Sequence, residues 1–290
     1  MAVLQCCRLI SARTRFDPLD SPGRIDIMQV YNTPAELWES VAQRKNGNQA
    51  SAKARDGGDG EIRWYSSAVE YWDAQAPTDD GVLGGYGFVS DIDVRDSRAF
   101  LKKAMGERVQ EASLRTAGSE LVALDCGAGV GRVSAELLLH ICHEVDLVEP
   151  CEHLLKAAKE RLLDGKKTKF PQNHRAVGFF QSGLETFEPQ KDRYDIIWIQ
   201  WAMLYLTDED AIAFLHRCSA ALKPGGIIFI KENVCAEGFI VDSEDASVTR
   251  SHAYNVDLFT AGAGLRLLHT ALQKGFPKHL FKVRMYALAR

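Results

Sequence analysis

The chain has 290 residues, 46% of them hydrophobic, with 35 basic against 39 acidic side chains for a formal net charge of −4. That apolar share supports a sizeable core and excludes a largely disordered chain, while the near-balanced charge gives no general attraction to nucleic acid or to an anionic membrane. Seven irregularly spaced cysteines without a C-x-x-C pair read as thiols of a reduced intracellular protein, and no apolar run reaches the roughly 18 residues that a membrane-spanning helix needs.

The opening stretch carries Arg8, Arg13 and Arg15 with no acid before Asp17. Organelle presequences share that pattern with plain disordered extensions, and the extension is the expectation here. Residues 44–60, RKNGNQASAKARDGGDG, offer almost nothing that packs, so 1–60 is expected to be an unstructured extension and linker, with order beginning near Glu61.

From Leu121 onward short apolar runs alternate with helical patterns. The predicted order is strand 121–125, helix 131–143, strand 145–149, helix 153–163, strand 177–181, strand 195–200, helix 208–222 and strand 226–231. This alternation predicts βαβ units and a doubly wound α/β fold with helices on both faces of a parallel sheet; Trp198, in mid-strand, is expected in the core. The last strands, 265–272 and 281–288, are joined by a turn around KGFPK too short for a crossover helix, which predicts an antiparallel hairpin at a sheet edge. No internal repeat is visible.

The first of these strands runs straight into DCGAGVGR, residues 125–132. Glycines at the carboxyl end of a first parallel strand let the backbone approach a nucleotide closely. A dinucleotide fingerprint needs glycine three positions after its second glycine, but counting from Gly129 that position is Arg132; no Gly-Lys-Ser/Thr follows for a P-loop either. Glu149 ends the next strand, 22 residues after Gly127, where a carboxylate can accept hydrogen bonds from both ribose hydroxyls. The D-x-G-x-G-x-G pattern resembles the first motif of class I S-adenosylmethionine-dependent methyltransferases. The strand end Gln200-Trp201-Ala202 lacks the Asp/Asn-Pro-Pro-Tyr/Phe typical of enzymes that methylate flipped bases, so a nucleic-acid substrate is not expected.

More specific are YWDAQAPTDDGVLGGYG (71–87), LDCGAGVGR (124–132), YDIIWIQW (194–201) and IKENVCAEGFIVDSEDASVTR (230–250). Together, over residues 68–290, they resemble the protein N-terminal α-amine methyltransferases, which act on chains beginning X-Pro-Lys or X-Pro-Arg after removal of the initiator methionine. The resemblance implies that activity, S-adenosylmethionine as donor, and a seven-stranded, mostly parallel Rossmann-like sheet. It also implies one domain over 61–290, in which 61–110 covers the substrate, and a location in cytoplasm or nucleus.

It further implies a donor site of Gly127, Gly129, Arg132, Glu149, Pro150, Cys151, Leu184, Glu185 and Gln200. Trp201 would face the substrate proline, Asn233 its first carbonyl, and Asp242 with Asp245 the following lysine or arginine, with Ser247 adding a neutral hydrogen bond. Leu83 and Gly84 would belong to a hairpin covering the peptide, with Trp72 in the same wall. One departure stands out: Tyr205 occupies a position where the family carries a histidine thought to assist deprotonation. A phenol with a reference pKa near 10 is a poor base, so Asp245 is the expected proton acceptor, with Asn233 orienting the substrate and Tyr205 an auxiliary. His140, Cys142 and His143 are expected far from Cys151 and His153, so no metal site is expected. A small-molecule methyltransferase and a donor-binding scaffold with little turnover remain open.

Overall fold

The computed structural model describes residues 28–47, 59–109, 120–164 and 170–290. The expectation placed on the arginine-bearing opening stretch lies outside the described residues. The strands are β1 (Met28–Tyr31), β2 (Val122–Cys126), β3 (Glu144–Val148), β4 (Arg175–Phe180), β5 (Tyr194–Gln200), β6 (Leu222–Val234), β7 (Phe239–Asp242), β8 (Ser247–Arg250), β9 (Arg266–Leu272) and β10 (Lys282–Ala289).

Seven of them form one sheet in the order β4-β3-β2-β5-β6-β10-β9. Its first five strands are parallel, and β10 runs antiparallel between β6 and β9, which makes the expected C-terminal edge hairpin. Every residue of the central β5 is buried, as continuous apolar sequence requires of a parallel strand covered on both faces. One face packs Trp198 and Phe229 with Phe100, Leu101 and Leu138; the other packs Ile197 and Ile199 with Phe214, Leu215 and Phe259. Trp198 stacks on Phe229 at 5.3 Å between ring centroids, in the core where it was expected. Among the described residues no helix is long and apolar enough to cross a membrane.

Several expectations need correction. The helix expected over 131–143 is a short one, Arg132–Glu136, followed by a 3-10 turn at Leu138–His140. Leu137, Leu138 and Leu139 are consecutive and each 0% exposed, which a regular helix presenting one apolar stripe does not allow. The segment expected as a hairpin around Leu83 and Gly84 is the helix Asp79–Val82, begun by Thr78, whose hydroxyl accepts from Gly81 N, and then a turn. Consecutive left-handed glycines, Gly84 and Gly85, reverse the chain there without strand pairing. From Gly87 a 3-10 turn leads into the long helix Ser90–Met105.

The unstructured extension expected over 1–60 also fails in part. Residues 28–31 form β1, which pairs antiparallel with β7, and the helix Pro34–Gly47 follows. The sheet β1-β7-β8 is separate from the large one. Leu37, 0% exposed, packs with Trp64, Phe239 and Val248, so a few apolar residues fix a segment whose overall composition carries no packing signal. Asp242 ends β7, and Asp245 lies in the tip that joins β7 to β8.

Candidate active site

A cavity of about 250 Å³ opens at the carboxyl ends of β2, β3 and β5. Gly127, Gly129 and Gly131 all adopt left-handed backbone, with φ of 68°, 54° and 70°. Glycine is needed at 127 for contact as well as for φ: a Cβ there would stand 2.4 Å from the Cβ of Ala202. At Gly131 a Cβ would press on Ala158 and Leu162, so this third glycine serves helix packing.

Glu149 is 5% exposed; its Oε2 accepts from Gly129 N at 2.9 Å and its Oε1 from Cys151 N at 3.0 Å. Burial raises its pKa, so further donors to the carboxylate would be favourable, and two oxygens with about four acceptor sites can take them. Asp125, at the start of the glycine motif, accepts from Ser134 Oγ at 2.7 Å and is pushed up to about 6 by burial.

Gly127, Gly129, Arg132, Glu149, Pro150, Leu184, Glu185 and Gln200 line this cavity, as do Trp72, Leu83, Trp201 and Tyr205. Cys151 does not; its backbone N–H orients Glu149 while its side chain packs with Val130 and Leu154. Gly84 lies in a separate shallow depression beside Asp80 and Tyr86. Asn233, Asp242, Asp245 and Ser247 stand outside the cavity lining; Asn233 is joined to it through Trp201 and Asp245 through Tyr205. Sequence reasoning missed Tyr65 and Val69, which the helix Asp59–Asp73 adds to the wall, and gave Asp125 no role.

It also missed Asp93. This carboxylate, 0% exposed, projects from the helix Ser90–Met105 and pairs with Arg132 Nη1 at 2.8 Å and with the buried Lys231 Nζ. It accepts from Gln200 Nε2 at 3.0 and 2.9 Å as well. Burial alone would raise its pKa, but Lys231 and Arg132 hold it below the ordinary carboxylate value. One acid thus fixes two lining residues of the cavity.

Past the end of β5 the chain turns sharply, and Trp201 takes a left-handed φ of 50°. That conformation is costly for a bulky residue and needs outside support. Trp201 N donates to Lys231 O at 3.0 Å, and Glu232 Oε1 accepts from the next two backbone N–H groups, Ala202 and Met203, at 3.0 Å each. Burial pushes Glu232 up to about 8. The indole Nε1 donates to Asn233 Oδ1 at 3.2 Å, and the Arg132 guanidinium lies 5.9 Å from the ring centroid.

The Tyr205 hydroxyl donates to Asp245 Oδ2 at 3.1 Å, and the Trp72 ring meets the Tyr205 ring edge-on at 6.3 Å. Asp245 is 0% exposed; burial, with the charge of Asp242 added, pushes it up to about 7. Burial also raises Asp242, whose Oδ1 accepts from Glu244 N at 2.9 Å. Among the described residues no three His, Cys, Asp or Glu side chains are grouped to hold a metal ion.

A model of the family described as AdoMet-dependent proline di-methyltransferase matches residues 60–289. The chain is 45% identical over 271 residues to Alpha N-terminal protein methyltransferase 1 of Arabidopsis thaliana, a match covering 93% of this chain and 90% of that protein. So little of the chain falls outside this match that it takes in residues 28–47. Identity to N-terminal Xaa-Pro-Lys N-methyltransferase 1 of Homo sapiens is 42% over 228 residues, covering 79% of this chain and 96% of that one. A solved S-adenosylmethionine-dependent methyltransferase from Leishmania major superposes with a TM-score of 0.72 at 33% identity, covering 94% of this chain and 100% of the other. A match that takes in the glycine loop, Glu149, Trp201 and the acidic hairpin together is far more than a shared nucleotide fold: the chain belongs to the AdoMet-dependent proline di-methyltransferase family.

Proposed function

We propose that this S-adenosylmethionine-dependent enzyme methylates the free α-amine of proteins whose N-termini begin X-Pro-Lys or X-Pro-Arg. The observation that carries the reading is the double position of Trp201. It walls the donor cavity and also belongs to a cluster with Leu83, Leu204 and Leu280, so an aromatic face for a proline ring borders the donor.

The residues present fit the donor. The glycine backbone leaves room, Glu149 has acceptor capacity for two hydroxyls, and Arg132 is a cation held in the lining for a carboxylate. Bound there, S-adenosylmethionine supplies a methyl carbon activated by its sulfonium. The protein's own task is alignment and removal of the amine's proton. Asn233, oriented by Trp201 Nε1, donates to the first peptide carbonyl; Asp242 and Asp245 read the cationic side chain after proline, with Ser247 beside them.

Asp245 accepts the proton. An α-amine with pKa of about 7.7–8.0 is mostly charged at pH 7, and an acceptor is most effective with its own pKa near the working pH. Burial gives Asp245 that value, about 7. Tyr205, whose phenol burial pushes up, remains a donor and supports the ionised carboxylate. Holding amine and methyl in line within a dry cavity supplies most of the acceleration.

The acidic hairpin and the covering segment favour a peptide over a small molecule or nucleic acid. Free thiols among the described cysteines fit a reducing compartment, and we place the protein in cytoplasm or nucleus. The test compares Ser-Pro-Lys with Ser-Pro-Glu peptides. Like charges beside Asp242 and Asp245 should cost about 2 kcal/mol or more of transition-state binding, read as kcat/KM. Equal turnover of the two would remove these acids from substrate reading.

A further inference from the structure

Residues 28–47 precede the span matched by the family model, yet they fold onto the hairpin that carries Asp242, Asp245 and Ser247. The register puts Met28 opposite Asp242 and Tyr31 opposite Phe239. Without β1 the hairpin would be a two-stranded ribbon, an arrangement of marginal stability. Gly238, at the start of the hairpin, has a φ of 61° and lies so close to the backbone of Tyr31 that a Cβ would stand 2.2 Å from its carbonyl oxygen.

Side chains strengthen the tie. Leu37 belongs to one cluster with Phe239, Val241, Ala246 and Val248, apolar residues of β7, the tip and β8. Trp38 meets Trp64 edge-on at 5.8 Å, and its Nε1 donates to Asp208 Oδ2 at 3.0 Å. The same carboxylate accepts from Arg250 Nε at 2.8 Å, so the N-terminal helix and the last residue of β8 share one anchor. Among the described residues, none of 28–41 lines the donor cavity.

We propose that β1 and the helix after it are a specificity-determining brace: they hold the acidic hairpin where Asp242 and Asp245 read the residue after proline, and they leave donor binding alone. This rests on the peptide reading given above. Leu37 and Trp38 are its positioning residues. A loosened hairpin moves the tip residue Asp245 relative to Tyr205, so what suffers is discrimination between peptides rather than affinity for the donor.

The experiment uses the full-length chain with Leu37→Ala and, as a stronger change, Leu37→Asp. Three quantities are measured: exchange of the backbone amides over 239–250, the affinity for S-adenosylhomocysteine, and kcat and KM on Ser-Pro-Lys and Ser-Pro-Glu peptides. The brace predicts faster hairpin exchange, a KM for the lysine peptide raised about tenfold, a lysine-to-glutamate preference lowered about tenfold, and product affinity within about twofold of the parent. If Leu37→Asp does not fold, Leu37→Ala still decides the matter. Faster hairpin exchange with an unchanged lysine-to-glutamate preference would overturn the brace, as would a parallel loss of product affinity, which marks general destabilisation. A parent enzyme indifferent to the two peptides would instead sink the peptide reading, and the brace with it.

Discussion

The Tyr205 hydroxyl and Asp245 Oδ2 are 3.1 Å apart, with the phenol donating. Burial raises both groups, the phenol far above neutrality and the carboxyl only to about 7, so of the two only Asp245 exchanges its proton near neutral pH. A tyrosine in this place therefore tunes the acid beside it.

The first expectation concerns this pair. Asp245→Asn keeps shape but not charge and should lower kcat by about 10²-fold or more, the scale of a positioned acid or base. Tyr205→Phe removes one hydrogen bond and should cost about tenfold at most. Because the lost bond favoured the ionised carboxylate, Tyr205→Phe should also move the acidic limb of the rate profile to higher pH, so its defect should shrink at alkaline pH. Profiles of kcat/KM for both variants check this; a deeper loss in Tyr205→Phe would make the phenol the acceptor.

Stability against pH follows from burial. Asp125 at about 6, Asp245 at about 7 and Glu232 at about 8 all bind their protons more tightly in the folded chain than in the unfolded one. Unfolded carboxyls titrate near 4, so these groups favour folding while protonated, and the chain loses stability as pH rises from there through the folded values. Donor-free protein should melt at a lower temperature at pH 8.5 than at pH 6.5. In Asp245→Asn the decline should be shallower, and at pH 8.5 the variant should be more stable than the parent, by on the order of 4 kcal/mol at most. Melting curves of both proteins read this directly, and a parent Tm that rises over the interval would refute it.

The strands around the donor were legible because a parallel strand covered on both faces is written as an unbroken apolar run, as in LVALD and DIIWIQ. The glycine loop and Glu149 were legible because their spacing follows from nucleotide geometry. Asp93 was not: in SDIDVRDS it looks like one more surface acid, and only the fold brings Lys231, Arg132 and Gln200 to it. The left-handed turn at Trp201 has no glycine to announce it, since it is imposed by Lys231 O and Glu232. β1 escaped notice because four residues in a polar segment give no periodicity, and their partner strand lies more than two hundred residues away.

Asp93 gives a third expectation, with a built-in control. Asp93→Asn removes the charge that holds Arg132 in the cavity wall. Binding of S-adenosylhomocysteine, whose amino-acid carboxylate the proposed site gives to Arg132, should weaken by about tenfold or more, the range for a charge-assisted hydrogen bond. Methylthioadenosine has no such carboxylate and should lose less. Equal losses for the two ligands in calorimetry would show general damage instead of lost positioning.

Gly127→Val tests the donor loop. The left-handed φ of 68° and the 2.4 Å approach to Ala202 leave no place for a branched side chain. The variant should lose donor affinity, and the push on Ala202 should displace its chain neighbour Trp201 as well. Unchanged affinity in a folded variant would take the loop out of the site.

Transfer to a peptide's terminal amine is tested most directly by fragmentation mass spectrometry of a Ser-Pro-Lys-Arg peptide after incubation with enzyme and S-adenosylmethionine, beside the same peptide acetylated at its N-terminus. Added methyl groups are expected on the serine α-amine of the free peptide and none on the acetylated one. Methyl groups on a lysine side chain, or equal methylation of the acetylated peptide, would contradict it.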